Sequence, residues 1–238
     1  MSERQWEQLG AATGVAFVVA LIASVFIAPT PPHIDASTSK ILNYYADNHR
    51  AILAGSVLSG ISGLLFLWFL GHLRHVLQRA EGGVEALSPI VFGAGVATVA
   101  VGFVCTLPQT VLAFATDNTD IAGSPGVVRL LYDLNALGTA TIMLMVGLLV
   151  GAMALAMVLK ELVAPVLGWL GLAVTVVLVA GGIAGFYNST YSSFWTGVTY
   201  AGLLSFAAFV LATSVAMLAS PEESRQTALR AGGPILTR

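Results

Sequence analysis

Two short stretches of this chain gather side chains that could hold or transform a bound molecule. In YYADNHR, Tyr44, Tyr45, Asp47, His49 and Arg50 fall within seven residues. Further on, Arg129, Tyr132, Asp133 and Asn135 place a similar mixture within another seven. Together with His33 and Asp35, Asp47 and His49 also offer candidate metal ligands. Their spacings, His33-x-Asp35 and Asp47-x-His49, match no established metal signature. Elsewhere His72 and His75 stand one helical turn apart and could share a ligand. Beside Arg74 and Arg79 they read more simply as a cationic anchor among lipid headgroups. The chain contains no paired carboxylates, no Ser/His/Asp set, no Gly-rich phosphate loop and no Cys-x-x-Cys. An enzyme is therefore disfavoured, and no cofactor is expected.

The elements that must position these residues are membrane helices. Charged residues make up 9% of the 238, apolar ones 57%, and mean hydropathy is +0.86. A soluble domain carries roughly a quarter of its residues charged. A net charge of −2 gives no basic surface for nucleic acid. The single cysteine, Cys105, lies in an apolar run, cannot form an internal disulfide, and reads as a small packing residue. The predicted fold is all-α: one polytopic bundle, residues 1–238, with six spans at about 11–28, 51–71, 89–114, 134–159, 163–186 and 194–219, and a flexible tail over 221–238.

Local signals set the boundaries. Glu3 and Glu7 offset Arg4, so the first run reads as a retained helix and not a signal peptide. Pro29, Pro31 and Pro32 end it, and Ser37 or Thr38 caps the next. No helix breaker occurs from Ser39 to Ala80, a helix of roughly 60 Å where hydrocarbon needs only about 30 Å. Ser56, Ser59, Gly60 and Gly63 form a small-residue stripe within it. Ser88-Pro89 and Ser124-Pro125 read as cap and first turn of the third and fourth helices. The third contains Pro108. The fourth, reaching Lys160, again exceeds a bilayer crossing, and its Gly147 and Gly151 form a small-xxx-small pair. With the N-terminus cytoplasmic, Arg4, Arg74, Arg79, Lys160, Arg225, Arg230 and Arg238 lie inside and Lys40, Arg50 and Arg129 outside, which fits the positive-inside rule. The overlong parts of helices two and four then project on the extracytoplasmic side.

None of the six apolar cores holds an ionisable side chain apart from Cys105. Proton relays, ion-coupled carriers and voltage sensors need such groups at membrane depth. Attention moves to the outer rim: Tyr44, Tyr45, Asp47, His49, Arg50, Gln109, Arg129, Tyr132, Asp133, Asn135 and Trp195. An Arg50–Asp133 ion pair follows if helices two and four are neighbours. The rim reads either as a pocket for a lipid headgroup or small amphipath, or, more simply, as an interfacial belt with a structural salt bridge.

The segments YYADNHR, FLWFLGHLR, AEGG, LSPIVFGAGVA, LYDLN and VLGWLGLA resemble, in order and spacing, a family of uncharacterised actinobacterial six-span integral membrane proteins, over about Ser39 to Ala180. The resemblance implies a six-span fold, its topology and a bacterial plasma membrane, and implies no activity. The expected function is a non-enzymatic accessory or assembly partner, or a binder of a lipid-like ligand through the rim. Expected partners are membrane lipid, and a protein partner or second copy. One alternative is a small permease with a cavity lined by Ser56, Ser59, Thr98, Thr139 and Thr141. Another is a membrane enzyme with a metal at the outer rim.

Overall fold

The computed structural model describes residues 3–81, 86–116, 123–160, 165–187 and 193–219. It is all-helical: α1 (Glu3–Phe26), α2 (Thr38–Glu81), α3 (Leu87–Phe114), α4 (Pro125–Lys160), α5 (Pro165–Tyr187) and α6 (Ser193–Ala219). All six are long and apolar enough to cross a membrane, as a multi-pass membrane protein requires. The predicted tail over 221–238 lies outside the described residues.

Two helices outrun the bilayer, as the sequence predicts. α2 has 44 residues and α4 has 36, which is roughly 66 Å and 54 Å at 1.5 Å per residue. Ser37 caps α2, its Oγ accepting from the Lys40 N–H at 3.4 Å. α4 begins at Pro125, and the Ser124 carbonyl accepts from Val127 and Val128. The third helix differs. It starts at Leu87, before the Ser88-Pro89 pair, and its N-cap Ala86 has no side chain to offer. The Glu81 carboxylate, from the end of α2, takes the Leu87 N–H at 2.6 Å and the Ser88 N–H at 3.3 Å. A carboxylate at a helix N-terminus satisfies orphan donors and complements the helix dipole.

Each helix packs on its neighbours in sequence, and α6 returns to α1, so the six close into a ring. α2 also meets α4 across it. α4 is the most enclosed, with 56% of its apolar window buried against 39% or less for the others. Inside the ring Phe17, Phe66 and Phe206, from three helices, lie with centroids 4.4 to 5.9 Å apart. Met143, Leu149, Val150, Met153 and Val210 continue the same core. Because lipid is as apolar as leucine, such packing and not water exclusion holds the helices together.

Close approach depends on glycine at particular points. A Cβ on Gly14 would stand 2.2 Å from Ser214 Oγ and 2.7 Å from the Phe69 ring, both fully buried. The Gly147–Gly151 pair is used within the fold, against Val179 and Thr175 of α5. In the α2 stripe Ser56 Oγ meets Thr110 Oγ1 of α3 at 2.9 Å and Gly63 faces Phe103, whereas Gly60 has open space.

Two expectations follow. Gly14→Ala overpacks the α1–α2–α6 junction at a cost of about 1–3 kcal/mol, read as a lower thermal midpoint in detergent. Gly60→Ala leaves the midpoint unchanged or raises it. At Glu81, desolvation is the largest single influence and raises the carboxyl pKa. The hydrogen bonds from Leu87 and Ser88 together outweigh it and hold the value below the ordinary 4.5. The folded-state pKa is thus depressed, so the contribution to stability is fully present above 4.5 and is lost as pH falls through the lowered value. Hydrogen-exchange protection of the first turn of α3, corrected for intrinsic rates, should fall in that acid range in the parent. In Glu81→Gln it should already be reduced at pH 7.

Candidate functional site

The linker between α1 and α2 begins Ile27-Ala28-Pro29-Thr30-Pro31-Pro32. Its prolines have no N–H, so local backbone bonding is sparse and carbonyl oxygens are left seeking donors. The overlong ends of α2 and α4 supply them. Tyr44 Oη donates to the Pro29 carbonyl at 2.6 Å, and Tyr132 Oη donates to the Pro32 carbonyl. Arg129 Nη1 donates to the Ala36 carbonyl at 3.3 Å. Three of the predicted rim residues therefore clamp one linker.

Beneath these bonds lies a second, smaller core of Ile41, Tyr45, Ile52, Leu112, Ala113, Val128 and Tyr132, with Ala28, Ala36 and Tyr44 packed on it. The Tyr45 ring, 3% exposed, stands edge-on to Tyr44 at 5.2 Å and to Tyr132 at 6.4 Å. The ends of α2 and α4 do meet, as the sequence reading required for a shared rim. What they build, among the described residues, is a small apolar core beneath these hydrogen bonds.

The expected Arg50–Asp133 pair does not form. Asp133 Oδ2 accepts from Arg129 Nε at 3.0 Å, one turn back on its own helix. Both side chains remain over a third exposed, so the pair contributes roughly 0.3–0.5 kcal/mol. Arg50 is exposed, as is Asp47. His49 Nδ1 donates to the Ala46 carbonyl at 2.8 Å, within α2. His33 and Asp35 are exposed on the linker. Among the described residues no group of three or more His, Cys, Asp or Glu converges to hold a metal.

Asn135 and Gln109 lie deeper. Asn135 Nδ2 donates to the Cys105 carbonyl of α3 at 3.2 Å. That carbonyl is next to Val104, whose own helical donor Pro108 removes. Cys105 also lies against Gly138, where a Cβ would come within 2.7 Å, so its role as a small packing residue is evident. Gln109 is half-buried beside Thr110. The side chain of Trp195 lies outside the described residues.

Four of the five hydroxyls proposed for a permeation path turn to backbone. Thr98, Thr139 and Thr141 donate to Ala94, Asn135 and Leu137 on their own helices. Ser56 does likewise to Ile52 at 2.9 Å while meeting Thr110.

At the other end of the bundle is a feature that sequence reading had only in part. Trp6 and Gly10 of α1 and Trp68, Gly71, His72 and His75 of α2 line an open cavity of about 360 Å³. The signal was available: positions 68, 71, 72 and 75 follow the i, i+3, i+4, i+7 rule for one helix face.

No family model, curated protein or solved structure matches this chain.

Removing single clamps tests the cap. A neutral hydrogen bond contributes about 1 kcal/mol, so Tyr44→Phe or Tyr132→Phe should each raise local opening of the 29–36 linker about fivefold. Hydrogen exchange or limited proteolysis reads this directly. Unchanged protection in the double variant would show that the apolar core alone holds the linker.

Proposed function

We propose that this chain is a non-enzymatic multi-pass protein of the bacterial plasma membrane, with both termini cytoplasmic, acting as an accessory or assembly partner through its extracytoplasmic cap. The observation that carries this reading is the use of Tyr44, Arg129 and Tyr132 as internal clamps. Donors that are committed to the linker backbone are not free for catalysis or substrate. They give instead a preformed platform whose outer surface carries Asp35, Lys40, Asp47 and Arg50, all exposed. A surface already ordered loses little conformational entropy on docking, which favours association. Its mixed charge suits a polar protein surface of complementary pattern. The distribution of Lys and Arg supports the orientation, and the sequence resemblance supports the bacterial membrane.

The permease reading finds less support, because four of the five candidate hydroxyls bond to helix carbonyls and Phe17, Phe66 and Phe206 pack together in the core of the bundle. A metal-dependent enzyme would need ligands that converge. A lipid-like ligand at the rim would need space that Tyr45 and Tyr132 fill.

Photo-crosslinking amino acids at Asp47 and Arg50, activated in native membranes, test the proposal. The expected result is one discrete adduct, to a second copy or to another membrane protein. It should disappear in the paired charge reversal Asp35→Lys with Lys40→Glu, at unchanged thermal midpoint. Recovery of the bare monomer from both positions, in mild detergent as well as in membranes, would refute it.

A further inference from the structure

From the outward face of α2 we infer that this chain pairs with a second copy of itself. The two α2 helices run parallel about a two-fold axis along the membrane normal. The inference rests on the assembly reading above and names its partner. Between positions 51 and 71 the exposed residues of α2 are 54, 57, 61, 64, 68 and 71, in alternating steps of three and four. The same alternation continues outward through exposed positions 50, 47, 43 and 40, and inward to 75. This is the 3.5-residue repeat by which two helices stay in contact along a left-handed supercoil.

Within the bilayer the seam is open and apolar. Val57, Ile61 and Leu64 are 65%, 47% and 62% exposed. Beside them a Cβ on Gly60 would meet nothing within 4 Å. Bare backbone on a helix face lets a second helix come close, and such packing is what associates helices in lipid. Toward the Glu81 end the face opens at Trp68, Gly71 and His75 into a groove completed by Trp6 and Gly10, about 360 Å³ in volume. A Cβ on Gly71 would likewise meet nothing, so the hollow is free to take a side chain. The pairing seats the partner's Trp68 there.

Lipid alone accounts for an apolar face, but not for the polar residues that continue it beyond the hydrocarbon. There the seam carries Asn43, Asp47 and Arg50, none of which has a hydrogen-bond or ion-pair partner from its side chain among the described residues. Asp133 is taken by Arg129. Asp47 and Arg50 stand one turn apart with opposite charges. A two-fold axis beside them sets Asp47 against the partner's Arg50 and Arg50 against the partner's Asp47, so symmetry makes the pair twice. Like charges across the axis stay in contact with water and are screened. Asn43 falls opposite the partner's Asn43, and a polar asparagine at one seam position specifies register and strand number. At the inner end Arg79 continues the face and already has its interaction within the chain.

Single cysteines along α2 test the pairing, in the full chain in liposomes at high dilution in lipid. The parent, whose Cys105 packs on Gly138 of α4, is the blank. Val57→Cys, Ile61→Cys and Leu64→Cys should form disulfide-linked dimers. Ser56→Cys and Ser59→Cys, which the repeat turns away from the axis, should give about fivefold less. Gly71→Trp fills the groove with the chain's own indole, and Asp47→Arg sets arginine against arginine. Each should lower the Leu64→Cys dimer about threefold at an unchanged thermal midpoint. Adding Arg50→Asp to Asp47→Arg restores opposite charges across the axis and should restore the dimer. Equal yields at all five positions, no dimer at any, or no rescue by the charge swap would overturn the pairing. An adduct at Asp47 and Arg50 to a different protein, with no seam disulfide, would overturn the pairing and leave the assembly reading standing. Bare monomer in both experiments would overturn both.

Discussion

The α1–α2 linker cannot satisfy its own carbonyls, and much of this molecule follows from that. Pro29, Pro31 and Pro32 contribute acceptors without donors. Close to a bilayer such groups must find partners in protein or interfacial water. Tyr44, Arg129 and Tyr132 reach them from the ends of two different helices. For both helices to present those side chains at linker height, α2 and α4 must continue beyond the hydrocarbon. Their excess length is the geometric consequence of the bond they make. The aromatic rings do a second job, since the bodies of Tyr45 and Tyr132 close the small core that keeps these bonds from water.

Within the bilayer the constraint changes. Water is absent, so burial of leucine against leucine contributes little, and shape decides which helices touch. Gly14 admits Ser214 and Phe69, Gly138 admits Cys105, and Gly147 admits Val179. Polar groups at that depth are few, and several are tied to backbone or to one another, as in Ser56 with Thr110 and Asn135 with the Cys105 carbonyl, whereas the buried Ser214 hydroxyl has no hydrogen-bond partner. The closed ring leaves α4 with most of its surface covered, which fits its position as the helix the others contact on several sides.

The two kinds of constraint differ in how far sequence reveals them. The spans were legible because bilayer thickness imposes a length that composition records directly. Ser37 was legible as a cap because its partner, Lys40, is local. Glu81 was not, because its partners belong to the next helix, although a carboxylate before a helix start was a usable hint. Arg129 with Asp133 is an i,i+4 pair and could have been preferred over Arg50 with Asp133 on spacing alone. The clamps themselves were hidden. A tyrosine hydroxyl at an interface looks the same in sequence whether it meets a ligand, a headgroup or a proline carbonyl. Only the fold path of the linker distinguishes them, and that path has no periodicity to read.

The bundle therefore has two unlike ends, and the difference lies in where its polar groups are committed. At the linker end the donors Tyr44, Arg129 and Tyr132 are turned inward on the chain's own carbonyls. At the other end Glu81 is likewise committed, to the start of α3, while His75, Trp6 and Trp68 keep exposed faces along a groove. Since α2 runs unbroken from Thr38 to Glu81, one rigid helix carries both surfaces.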